Sequence, residues 1–408
     1  MLSRWKLTPL SFVLALVLAA PASAQEPPGD AAPGEEAPAT PKDPERFERR
    51  PASSRYVDPD SRFSLQGYVT GTFADFQRDF LRSDFGAPGQ LLVPRTSVSS
   101  FQYDWAMFLG SRLTDDLRFV VETHFVTRDD GDFHPDIVTT EAKVTWSPFA
   151  DDHAFRLSLG EYWAPFAGVN DDWFSAVNLF STVPFAARAF PLHYNERGVE
   201  LEGEFDLGGA RGLNYALSLG NGVAGMTLAE QHGLAQNDRK TLMGRLGFFP
   251  LGPSLELGVS AASGRFRGEL DESLPADDAL RYPATFRALG GDLRLRRPNL
   301  EARAYGIRST EELDGAADLD RWGVMAEAGV RVARELPVLR EIWLKARYDR
   351  ARTEGLDSPS QEDQVVSLGI NVRPARRTVL KLEGFFHSEK DGRRLRDDGV
   401  VVQLSASF

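Results

Sequence analysis

The sequence predicts an all-β fold, a transmembrane antiparallel β-barrel of about sixteen strands covering residues 62–408. Three observations predict it. The chain ends on Gly399–Phe408, where Val400, Val402, Leu404, Ala406 and Phe408 share one parity and Val401, Gln403, Ser405 and Ser407 the other. Period-2 alternation of this kind marks a strand with one apolar and one wet face. About fifteen further segments with the same alternation precede it. The connections between them run alternately short and long, as a barrel with tight turns at one rim and loops at the other requires. A secreted sandwich or propeller has no reason to produce that rhythm.

The N-terminus explains how such a chain reaches a membrane. Arg4 and Lys6 precede an apolar run from Leu10 to Ala20, and Ala22-Ser23-Ala24 gives a small-residue cleavage site before Gln25. Residues 1–24 therefore read as a signal peptide, too short in its apolar part to span a bilayer. Residues 25–61 are rich in Pro, Ala and Glu and cannot bury a core. They read as a disordered periplasmic tail, either a passive spacer or a contact to the cell wall. No later stretch is apolar for about eighteen residues, so helical spans are excluded. The hydrophobic fraction of 42% and the mean hydropathy of -0.31 suit a barrel, in which only alternate residues face lipid. With no cysteine there is neither a disulfide framework nor a thiolate metal site. Removing the leader's Arg4 and Lys6 takes the formal charge from -12 to -14, which argues against nucleic acid as a partner.

Taken in order, the first strand carries Phe63, Leu65, Val69 and Phe73 on one face, and the second Phe101 to Leu109. The third runs from Leu117 to Phe125, the fourth through Val138, Ala142, Val144 and Trp146, and the fifth from Phe155 to Trp163. Val199 to Leu207 form the sixth; Leu213–Leu219, Leu242–Phe248, Leu255–Ala261, Leu289–Leu295 and Leu300–Gly306 follow. Trp322–Val332, Ile342–Tyr348, Gln364–Val372, Leu380–Phe386 and the terminal segment complete the set. The short connections fall at 114–116, 148–153, 208–212, 250–254, 297–299, 334–340 and 374–377. The longer ones fall near 77–97, 128–136, 164–196, 222–238, 265–283, 309–320, 353–361 and 389–398. Both termini are then periplasmic. Trp105, Trp146, Trp163, Trp322, Phe386 and Phe408 share the outward phase and read as headgroup-level girdles.

The connection at 164–196 is the longest, 33 residues, and holds Phe174, Phe180, Phe185 and Phe190 besides Pro184 and Pro191. A solvated loop has no need of so many apolar groups. It either folds into the lumen against the barrel's own inner wall or packs over a neighbouring subunit or the rim. Asp171, Asp172, Trp173, Arg188, Glu196 and Arg197 are the constriction residues expected of the first arrangement.

If the apolar parity faces lipid, the other parity faces water. One wall then bears Glu200, Glu202 and Glu204, with Asp206, Glu122 and Glu141. Strands ten to fifteen bear Arg294, Arg296, Arg303, Arg331, Lys345, Arg347, Arg373 and Lys381, interspersed with Asp292, Glu301, Glu327, Asp349 and Glu383. Two readings stand: a transverse field that sorts permeating ions, or charges that pair across strands and solvate the wall. The outer loops are acidic, Glu311, Glu312, Asp314, Asp318 and Asp320 most of all. They read as ordinary solvation or as ligands for divalent cations shared with lipopolysaccharide. His124, His134, His153, His193, His232 and His387 are scattered, and neither a nucleophile–base pair nor a metal-ligand spacing is evident. No enzyme, cofactor or metal is expected.

Two stretches carry a resemblance. Gly160-Glu-Tyr-Trp-Ala-Pro-Phe166 closes the fifth strand and Phe190-Pro-Leu-His-Tyr-Asn-Glu-Arg-Gly198 opens the sixth. With Asn221-Gly222 and Arg245…Phe249-Pro250, they resemble the phosphate-selective porin family over about 62–408. The resemblance implies a sixteen-stranded homotrimer in the Gram-negative outer membrane whose third outer loop enters the channel. It implies an arginine ladder and a lysine-rich constriction for the phosphate-specific members, but no lysine occurs between Lys143 and Lys240. The expected function is therefore passive diffusion of small hydrophilic solutes and ions with weak anion preference and without tight phosphate binding. Outer-membrane lipid and lipopolysaccharide are the expected surroundings. The alternative is a closed structural or adhesive barrel that binds a partner through its loops.

Overall fold

The computed structural model describes residues 62–76, 98–127, 135–149, 154–170, 178–189, 195–221, 240–269, 281–313, 318–355, 358–375, 377–389 and 398–408. The expected leader and tail (1–61) and Asp171, Asp172 and Trp173 lie outside these residues.

Sixteen strands form: β1 (Ser64–Phe76), β2 (Val98–Arg112), β3 (Leu117–Thr127), β4 (Pro135–Trp146), β5 (Arg156–Trp163), β6 (Asn195–Gly208), β7 (Arg211–Gly220) and β8 (Thr241–Pro253). The second half holds β9 (Leu255–Glu269), β10 (Arg281–Arg297), β11 (Leu300–Leu313), β12 (Leu319–Leu336), β13 (Leu339–Gly355), β14 (Ser358–Ala375), β15 (Thr378–Glu389) and β16 (Gly399–Ser407). Each pairs antiparallel with its neighbours in sequence, and β1 pairs with β16 to close the barrel. The seam sets Val69 against Ala406 and Phe73 against Val402, apolar parity on apolar parity. Phe408 extends it by exchanging backbone hydrogen bonds with Gly67, 2.9 and 3.2 Å long.

The expected phase is present, and it inverts the arrangement of a water-soluble protein. Leu65, Val259, Leu289, Leu404 and Phe408 are exposed on the outside, Leu289 at 67%, whereas Glu122, Glu141, Lys381 and Glu383 are fully buried inside. A face of exposed leucine and valine around a charged interior is stable where the outer solvent is hydrocarbon. No helix among the described residues is long and apolar enough to cross a membrane; the strands carry the apolar surface. The turn between β2 and β3 illustrates the short rim. Thr114 Oγ1 and Trp146 Nε1 donate to the Asp116 carboxylate at 2.6 and 3.1 Å, and these bonds hold its pKa below the usual value.

Four expectations need correction. A bulge in the β3–β4 ladder pairs Glu122 with Glu141 but Thr123 with Thr139, so Val138 stands opposite His124, one place off the register that unbroken alternation implies. Trp163 is no girdle residue: it is buried and its Nε1 donates to Glu122 Oε2 at 3.1 Å. Several strands continue into segments read as loops. β10 begins at Arg281, β13 ends at Gly355 and β14 begins at Ser358, so the ladder outlasts the apolar alternation. For the same reason Glu311, Glu312 and Asp320 belong to strands, and Glu311 faces inward to Arg321 at 2.9 Å.

Candidate functional site

Inside the barrel the charged residues meet partners on the same or neighbouring strands. On the β4–β8 side, Lys143 Nζ lies 2.8 Å from Glu141 and 3.8 Å from Glu200. Arg156 reaches Glu202 at 3.3 Å, and Glu204 stays partly exposed near the turn rim. Arg245 joins Glu256 at 2.7 Å and Asp292 at 2.5 Å. The carboxylates on this side are thus largely answered by wall cations across the ladder. Glu122 belongs to a separate chain of contacts in which His124 lies between Asp104 at 3.1 Å and Glu122 at 2.5 Å. Tyr68 donates to Asp104 from β1, and Trp163 donates to Glu122 from the end of β5. Scattered in sequence, these groups brace the wall where the long connection leaves it. Among the described residues no group of three or more His, Asp or Glu is arranged to hold a metal ion.

On the β10–β15 side the expected basic residues also find acids. Arg294 lies 3.9 Å from Glu256, Arg303 Nε 2.5 Å from Glu327, and Arg296 stands opposite Glu301 in register. Arg331 takes Asn299 at 2.7 Å and Glu341 at 3.3 Å, and Arg373 takes the other oxygen of Glu341 at 3.1 Å. Lys345 and Arg347 share Glu383 at 3.8 and 3.7 Å. Cross-strand pairing is therefore the arrangement found, although Glu256, Glu341 and Glu383 each serve two cations.

The described parts of the long connection, 164–170 and 178–189, bind the inward phase of this same side. Ala167 N donates to Ser260 Oγ on β9 at 3.0 Å. Leu179 O accepts from Lys345 Nζ at 2.6 Å and from Asn371 Nδ2 at 3.0 Å, and Lys381 reaches Asn178. Ser181 N donates to Glu383 at 2.8 Å, as does the Thr182 hydroxyl, while Arg347 donates to Thr182 O at 2.7 Å. The Phe180 ring lies beside both cations, 4.5 Å from Lys345 Nζ and 4.7 Å from the Arg347 guanidinium. A single 3-10 turn, Phe185–Ala189, follows; Asp349 accepts from its first two amides, from Ala186 at 2.7 Å. Ser309 Oγ on β11 closes the series on Ala189 O at 2.5 Å.

Two inward glycines make room for this path. A Cβ on Gly323 would lie 2.5 Å from Ala186 O, and one on Gly290 would lie 2.8 Å from Ala167 Cβ. Tyr305, Ile307 and Met325, apolar residues in the wet phase, meet Phe166 and Ala186 in one buried cluster. Asn178, Ser181, Thr182, Ser260, Ser309 and Asn371 were not among the expected site residues. The signal for them was present, as inward-phase glycine and apolar residues on β10–β12 that an aqueous wall would not need. Of the expected constriction residues, Arg188 lies in the 3-10 turn. Glu196 is buried at the start of β6, where one oxygen accepts from Arg197 N at 3.0 Å. Arg197 pairs with Glu161 at 3.2 Å in the outward phase, as its register through Glu161 to Ala142 requires.

A closed sixteen-stranded barrel with apolar outside, charged inside and an inner-wall connection is the architecture of outer-membrane barrel proteins. No family model matches the chain, and no curated protein does. Its fold is similar to that of solved structures. For the outer membrane protein OmpT of Vibrio cholerae in its trimer form the TM-score is 0.56 at 10% identity, covering 85% of this chain and 99% of that one. The outer membrane channel DcaP of Acinetobacter baumannii gives 0.54 at 12% identity, with 85% and 97% covered. An anion-selective porin from Comamonas acidovorans gives 0.52 at 11% identity, with 85% and 99% covered. These likenesses establish the fold.

Proposed function

We propose that the chain is an outer-membrane porin that lets small hydrophilic solutes and ions diffuse passively. The observation that carries this reading is the connection bound along the inner wall. A barrel that served only as an anchor or adhesin has no use for amides, hydroxyls and carboxylates arranged to hold a segment inside it. Held there, 164–170 and 178–189 narrow the aqueous path rather than capping the rim. The resemblance to named porins and channels supports the same reading.

Selectivity is weak because most wall charges are matched. Its sign follows from which charges keep contact with water. Glu122 and Glu141 are fully buried, whereas the side chains of Arg331 and Arg373 remain 15% and 32% exposed and share one carboxylate. This small solvated excess favours anions. The pore has no lysine cluster from the connection, so phosphate passes without tight binding. The leader 1–24 exports the chain, the tail 25–61 stays periplasmic, and three copies assemble as a homotrimer; the trimer form named for the Vibrio protein supports the last point. Planar-bilayer recording tests the proposal. Purified protein is expected to give stepwise, ohmic conductance increments, and a closed structural barrel would give none.

A further inference from the structure

Outside the barrel the charge distribution is uneven, and one arc carries cations that the wall does not answer. Arg265 on β9, Arg287 on β10 and Arg308 on β11 are exposed and lie in the outward phase. Arg265 stands opposite Thr285, two residues from Arg287; Arg287 stands opposite Thr310, two residues from Arg308. Each is thus a diagonal neighbour of the next, at about 7–8 Å between backbones. Among the described residues one acid touches the group: Glu312 lies 3.9 Å from Arg287, with both side chains more than half exposed, a pairing too solvated to hold the guanidinium. Among the described residues Arg265 and Arg308 take part in no ion pair.

The position of the arc is fixed by its neighbours. Toward the turn rim the same face becomes Leu289, Leu293, Leu257 and Val259, all exposed and apolar. Arg308 stands opposite Trp322, and tryptophan in this phase marks the headgroup level. An arginine facing lipid costs about 2–4 kcal/mol at the bilayer midplane but about 0–1 kcal/mol near the interface. The adjoining arcs differ. β7 and β8 present Leu219 and Leu242 at this rim. On β13, Arg350 and Arg352 are already held by Glu362 at 2.7 Å and by Glu354, and Arg350 lies over the Trp322 ring.

We propose that the outer face of β9–β11 binds the phosphorylated sugar headgroup of an outer-leaflet glycolipid, with Arg265, Arg287 and Arg308 as its donors. The planar guanidinium fork fits phosphate oxygens two at a time, and a cationic arc at headgroup level complements a leaflet whose headgroups carry phosphate. The site is separate from the lumen, so it stands or falls independently of conduction.

The test is binding of bisphosphorylated lipid A, dephosphorylated lipid A and phosphatidylglycerol to the purified protein in detergent, read by native mass spectrometry. Bisphosphorylated lipid A is expected to bind about tenfold tighter than either other lipid. R265Q/R287Q/R308Q is expected to lose that preference, and R350Q/R352Q to keep it. Heat-modifiable mobility checks that each barrel is folded, and the three single variants replace the triple one should it not fold. Equal binding of the dephosphorylated lipid, equal binding of phosphatidylglycerol, or a preference that survives the folded triple variant or all three folded single variants would overturn the proposal.

Discussion

On the β4–β6 side of the lumen, Lys143 sits between Glu141 and Glu200 and Arg156 reaches Glu202, so wall cations answer wall carboxylates. On the β13–β15 side, Asp349 and Glu383 turn their oxygens to the amides and hydroxyl of residues 181–186, and the Lys345 and Lys381 ammonium groups donate to Leu179 O and Asn178 Oδ1. The two sides are built from similar residue types. The first closes on itself and solvates the wall; the second is unfinished without the connection. Charge in the inward phase therefore identifies two different things, and register alone does not separate them.

The largest effect is expected from breaking the second side. Asp349→Ala with Glu383→Ala removes the acceptors of the 181–186 amides and leaves Lys345 and Arg347 without their shared carboxylate. Breaking one partner of a buried pair costs about 3–5 kcal/mol, a driving force for the segment to leave the wall. Single-channel conductance is expected to rise at least about twofold with added noise. A milder break is steric. Gly323→Val places atoms where Ala186 O lies 2.5 Å from the Cβ position and is expected to raise conductance without changing the wall charge. Gly306→Val, in the outward phase, serves as its control and is expected to leave conductance unchanged.

A smaller effect is expected from the basic residues of β10 and β11. Replacing Arg294, Arg296 and Arg303 by Ala is expected to move the zero-current potential in a salt gradient toward cations by a few millivolts, on the order of the weak imbalance in the wall. An unchanged potential would place these side chains outside the permeation path. Micromolar phosphate blocking chloride current would show a tight anion site instead. The smallest effect is expected at the outward pair: Arg197→Gln should lower stability by less than about 1 kcal/mol, read from the heat-modifiable transition, because its side chain is 37% exposed.

Much of the barrel was legible because its two faces differ in solvent at every second residue. All sixteen strands were found, and among the described side chains the phase holds from β1 to β16 apart from Trp163. Strand ends at the loop rim were not legible. There Thr310, Glu311 and Glu312 are polar on both faces, so alternation fades while backbone pairing continues. The bulge in the β3–β4 ladder leaves no local mark, which is why Val138 was misplaced. The inner-wall charges were legible as residues but not as partners. Ser181 and Glu383 are 202 positions apart, and period-2 patterning fixes the face of a residue without naming what crosses the lumen to meet it.

On the porin reading proposed here, the connection bound to β9–β15 sets the width of an open channel. Liposome swelling with sugars of increasing size tests it most directly, comparing the native protein with the Asp349→Ala, Glu383→Ala variant. Native protein is expected to admit monosaccharides and exclude larger oligosaccharides, and the variant to shift that cut-off upward. Swelling with no solute at all would mean that the barrel is closed, and one identical cut-off for both proteins would mean that the connection does not set its width.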